Sequence, residues 1–192
     1  MSIPDNYFIR FGGEEERRRE SFQRLRFALV LALLLVYMVM ASLFESLFHP
    51  FVIMFTLPLA AVGVIWSFLL TGQTLNLMGY IGIIMLAGIV VNNAIVLVDY
   101  INQLRRRGKE RTEAIVEACK VRLRPILMTA VTTMVGLLPM ALGANDQGRM
   151  IYSPLAIAVL GGLFTSTLLI PLIIPTVYSL SDDAVARLRT WW

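Results

Sequence analysis

Between Leu77 and Tyr100 the sequence is apolar enough to cross a membrane, yet it carries two adjacent amides, Asn92 and Asn93, with Asp99 as its only charge. Read as a helix rising 1.5 Å per residue, the run is about 36 Å long. That is enough to span a hydrocarbon core about 30 Å thick with some tilt. An amide in hydrocarbon must find a polar partner, so a pair at this depth faces protein or water rather than lipid. The chain therefore buries a polar face between membrane helices, and that face is where function is expected.

The rest of the 192 residues agrees with an all-α membrane protein. Hydrophobic residues make up 57% and charged residues only 16%, against about 25% charged in a soluble domain. One cysteine, Cys119, excludes an internal disulfide, and one histidine, His49, leaves no Cys/His cluster for a structural metal. The net charge of +4 does not mark a nucleic-acid binder. Most of the basic residues flank apolar runs, where membrane lipid headgroups are their partners. The first twenty residues are too polar for a signal peptide.

Five spans are expected, at about 27–44, 51–70, 77–100, 126–142 and 154–177. Residues 5–12 read as a short strand remnant, followed by a helix that runs into the first span with Glu14, Glu15 and Glu16 at its positive end. Residues 1–26 thus form a segment leading into the membrane, 27–180 the transmembrane bundle and 181–192 a polar tail. Pro58 lies inside the second span. Pro171 and Pro175 are expected to interrupt the fifth, and Gly143–Met150 reads as a polar turn. Residues 111–122 place Ala114, Ile115, Ala118 and Cys119 on one side at helical spacing, as in an amphipathic helix lying at the interface.

With five spans the termini lie on opposite sides. The side holding the basic loop 102–124 and the C-terminus carries ten lysines and arginines, the other side seven. The positive-inside rule puts the basic loop and the C-terminus in the cytoplasm and the N-terminal segment in the periplasm.

The run GIVVNNAIVLVDYINQLRRRG, followed by EAIVEA and RLRPILMTA, resembles the resistance–nodulation–division (RND) multidrug efflux permeases of the acriflavine-resistance type. FGGE before the first span and LFESLFHPFVIMFTLPLA across the first two extend the resemblance over nearly the whole chain. It implies spans eight to twelve of a twelve-span homotrimer in the bacterial inner membrane, exporting drugs in exchange for protons. The gradient is then the energy source, with no cofactor. The partners it implies are the N-terminal permease half and, in a Gram-negative cell, a periplasmic adaptor and an outer-membrane channel. Those permeases carry a lysine where this chain has Asn92, and an acidic pair in span four, outside these residues. Their arginine and threonine of the proton relay fall on Arg122 and Thr129.

Two readings stand beside each candidate. Asn92 and Asn93 either hold helices together or line a proton or ion path, and at Asn92 an amide works by hydrogen bonding because it cannot titrate. Asp99 follows Asn92 by seven residues, on nearly the same helix face, either as an interfacial anchor or as part of that path. Thr129, Thr132 and Thr133 share a face of the fourth span, bonding their own helix or lining a hydrated seam. Arg122 is a topology determinant or, by the resemblance, an electrostatic element at the cytoplasmic mouth. Gly79, Gly82, Gly88, Gly161 and Gly162 are expected to allow close helix contact. An enzyme is not expected, since the spans hold neither a paired nucleophile and base nor metal ligands. The alternative to a transporter is an orphan membrane fragment with a structural or interaction role.

Overall fold

The computed structural model describes residues 13–45, 48–142 and 146–189. Within them the chain forms six helices: α1 (Glu14–Phe44), α2 (Phe48–Met54), α3 (Thr56–Thr71), α4 (Leu77–Arg106), α5 (Arg111–Leu142) and α6 (Asp146–Arg189). With α2 and α3 taken together, five stretches are long and apolar enough to cross a membrane. The expected strand at 5–12 lies outside the described residues.

The breaks follow backbone chemistry. Pro58 has no N–H for the carbonyl of Met54, four residues earlier, and its ring crowds that carbonyl. The second span divides there, between α2 and α3, at Phe55. The turn stays tight, because the Phe55 N–H donates to Phe51 O at 3.1 Å and the buried Thr56 hydroxyl to Ile53 O at 2.7 Å. At the start of α4 the Asn76 side chain accepts the Gly79 N–H at 2.9 Å, an N-cap that fixes where the long helix begins. Gly108, at φ 86°, supplies the left-handed residue that turns the chain from α4 toward α5.

Three boundaries differ from the sequence expectation. The amphipathic segment 111–122 is helical but is not a separate element; it continues through Pro125 into the fourth span as α5. Pro171 and Pro175 do not interrupt α6 either. In a segment bound for hydrocarbon, a broken helix would leave several backbone groups unpaired, whereas a proline frees about one. The polar turn and tail also shrink. α6 begins at Asp146 and runs to Arg189, the part after Pro175 holding neither glycine nor proline.

α6 is the hub, packed against α3, α4 and α5, while α1 lies at the edge against α2 and α4. Close approach depends on glycines. A Cβ on Gly161 would overlap Ser67 of α3, one on Gly63 would overlap the Gly161 carbonyl, and one on Gly162 would overlap Leu86 of α4. A Cβ on Gly82 would fall 2.7 Å from Leu155 O. Gly88 has open space around it, because it lies on the outward face of α4 and makes no such contact. Ser67 adds a bond to Ile157 O at 3.1 Å across the α3–α6 contact. Along α6 the neighbours on α4 ascend together, from Leu155 beside Gly82 to Gly162 beside Leu86, so α4 and α6 run parallel.

Candidate functional site

The two amides have opposite environments. Consecutive residues on a helix point about 100° apart. Asn93 turns into the core at 7% exposure, while Asn92 faces outward. Inside, Asn93 Nδ2 has no hydrogen-bond partner. Outside, Asn92 belongs to an exposed stripe of Met85, Gly88, Asn92, Asp99, Gln103 and Arg106. The spacing is that of one helix face, apolar at its start and polar from Asn92 onward.

The polar end of this stripe opens into a cleft of about 570 Å³ between α1, α4 and α5. Leu43 and Phe44 of α1 and Ile95 and Val96 of α4 form its apolar part; Asp99, Asn102, Gln103, Arg106 and Arg122 form its polar part. Arg122 reaches the cleft from α5, its guanidinium carbon 4.7 Å from the centroid of the Tyr100 ring. Asp99 and Arg122 are thus brought into one cleft, with Asn92 about two turns above Asp99 on the same stripe.

Two of the threonine hydroxyls bond their own helix. Thr129 donates to Pro125 O at 3.0 Å and Thr133 to Thr129 O at 2.8 Å, so both hydroxyl protons are committed to their own helix. Thr129 and Thr132 lie on the exposed face of α5 and Thr133 is half-buried. Among the described residues, no group of three or more His, Cys, Asp or Glu side chains gathers as a metal site would require.

Behind the cleft is a polar contact that the sequence reading missed. Tyr178 of α6, 1% exposed, donates its hydroxyl proton to Asn102 Oδ1 at 2.7 Å. It accepts from Arg105 Nη1 at 3.3 Å. Arginine has only donors, so the tyrosine proton must go to the amide oxygen. The Asn102 NH2 is then the group left for the cleft. The available signal was a tyrosine at the very end of an apolar span, whose hydroxyl needs a partner when buried.

Past the α4–α5 turn, Lys109 pairs with Glu117 and, at 3.7 Å, with Glu113. The hydrogen bond to Glu117 is the main cause of a Lys109 pKa raised above 10.5. This clamp closes the turn outside the spans.

The sequence matches the AcrB/AcrD/AcrF family over residues 1–182. It is 42% identical over 189 residues to the swarming motility protein SwrC of Bacillus subtilis (strain 168), which covers 98% of this chain and 18% of that protein. Among solved structures it is similar to a heavy metal efflux pump in two crystal forms. Form II matches with a TM-score of 0.81 and 34% identity, over 94% of this chain and 18% of the pump. Form I matches with a TM-score of 0.78 and 34% identity, over 88% and 17%. The chain thus spans less than one fifth of the length of each of these proteins.

Proposed function

This chain belongs to the AcrB/AcrD/AcrF family of RND efflux pumps, and we propose that it forms the transmembrane part of a permease coupling proton entry to export of hydrophobic or amphiphilic compounds. The observation that carries this reading is the outward polar stripe of α4, from Asn92 through Asp99 to Arg106. An amide, a carboxylate and a guanidinium on one face of a membrane helix cost too much to leave against lipid. The stripe therefore takes a protein partner or encloses water. The other half of a family permease is that partner, in a homotrimer in the inner membrane with the N-terminal segment periplasmic and the C-terminus cytoplasmic. A periplasmic adaptor and an outer-membrane channel would complete the assembly in a Gram-negative cell.

In this reading no bond of the exported compound is broken and no cofactor is used. Asn92 binds water through its NH2 and carbonyl and stays uncharged throughout. Asp99, the only carboxylate of the third span, is the group on the stripe that can take and release a proton. Arg122 sets the field at the cytoplasmic mouth, and the Asn102 NH2 supplies a fixed donor beside Asp99.

A chimera tests this: the segment of a full-length family member matching these residues is replaced by this chain. Export of a lipophilic dye is then measured under an imposed pH gradient. Gradient-dependent export is expected, falling about tenfold with Asn92→Leu, the equivalent of about 1.4 kcal/mol. Unchanged export at equal membrane level would remove Asn92 from the mechanism. A chimera that inserts and assembles yet exports nothing would favour the orphan fragment.

A further inference from the structure

The Arg122 cation is held without an acid. Its guanidinium lies 4.7 Å from the Tyr100 ring centroid, and its Nε is buried without a hydrogen-bond partner. Among the described residues no carboxylate comes within 4.0 Å of it, although Asp99 lines the same cleft. Arg106 lines that cleft too, and its like charge tends to push Arg122 out toward water. A carboxylate would offset that repulsion but would cancel the cation's field. An aromatic face attracts the cation through its quadrupole and cancels none of the net charge.

We infer that Tyr100 is a positioning residue for Arg122: its ring face keeps the guanidinium in the cleft and leaves the positive charge uncompensated toward the polar stripe of α4. The inference rests on reading this cleft as part of the coupling machinery, and it adds a residue that no charge pattern in the sequence points to. Tyr100 acts through its ring face, so phenylalanine should replace it and leucine should not. A phenylalanine whose ring electrons are withdrawn by fluorine should fail in proportion, at nearly constant shape.

Two measurements test this. In the chain itself, held in lipid nanodiscs with 15N-labelled arginine, the Arg122 Nε–H resonance should carry an upfield ring-current shift. Tyr100→Phe keeps that shift and Tyr100→Leu abolishes it; a resonance that does not respond to Tyr100→Leu overturns the pairing, whether or not any export is seen. In the exporting chimera, Tyr100→Phe should stay within about twofold of the parent. Progressive fluorination of that phenylalanine should lower turnover stepwise, by roughly two- to thirtyfold in total, with the KM for the dye unchanged. Fluorinated rings exporting as well as Tyr100→Phe, or a leucine variant with parental turnover, would overturn the positioning role. A chimera without any export counts against the proposed function alone, and the nanodisc measurement then decides the pairing.

Discussion

The two sides of α4 meet the same problem with opposite chemistry. Toward α6 the helix is dry and close-packed. Leu86, Val90, Leu97 and Ile101 are buried there, and Gly82 and Gly162 let the helices approach where a methyl group would collide. Toward α1 and α5 the same helix carries an amide, a carboxylate and a guanidinium beside an open cleft. A side that is complete within these five spans has its contacts here. The open side carries its polar groups along the cleft instead. Asn93 and Asn92, one residue apart, divide along this line.

The contrast can be broken most severely on the packed side. Gly161→Leu should drive a large side chain into Ser67 and the α3 backbone, destabilising the bundle by about 3 kcal/mol or more. Thermal unfolding in detergent would read the loss, and a variant as stable as the parent would show that the close contact is not needed. On the open side, Asp99→Asn should leave unfolding unchanged while lowering gradient-driven export in the chimera at least tenfold. Unchanged export would make Asp99 an interfacial anchor.

Tyr178→Phe sits between the two sides. It removes one buried hydroxyl with its hydrogen bonds to Asn102 and Arg105, and it should lower stability by about 1 kcal/mol while releasing the Asn102 amide. The side-chain NH2 resonances of Asn102 should then shift, and identical spectra would refute the link. Asn93→Leu is the sharper small test. Removing a buried donor that has no partner should be neutral or stabilising by up to about 1 kcal/mol. A clear loss of stability would mean that Asn93 has a polar role in the core.

The smallest effect belongs to the turn beyond the cleft. Lys109 holds its proton above the ordinary lysine range because Glu117 accepts its hydrogen bond. The clamp's contribution is full below the unfolded lysine pKa and is lost as pH rises through the raised folded value. Amide exchange around residues 108–112, read from mass spectrometry with correction for intrinsic rates, should loosen only at strongly alkaline pH. Loosening near neutrality would point to another cause.

Much of this was legible in the sequence. A membrane-length apolar run defines α4, and the heptad spacing of Asn92 and Asp99 places them on one face. Which way that face points was not legible. Periodicity gives relative angles around a helix, whereas the absolute rotation depends on Gly82 and Gly162 choosing the side that meets α6. Asn102 and Tyr178 escaped notice for a related reason, being 76 residues apart and brought together only by the parallel pairing of their helices. Pro58 was legible as a proline inside the second span, but the break at Phe55 was not. Pro171 and Pro175 were legible in the same way, yet α6 continues through both.

α6 has a mechanical consequence of its own. At 44 residues it is about 66 Å long, roughly twice the thickness of a hydrocarbon core. It is braced to α4 by glycine contacts toward one end and by Tyr178 toward the other. Two parallel helices in contact at separated points resist sliding past one another. A tilt of about 10° about its midpoint would carry each end of α6 through about 6 Å, on the rise per residue of a helix. The length of α6 alone thus makes any tilt largest at its two ends.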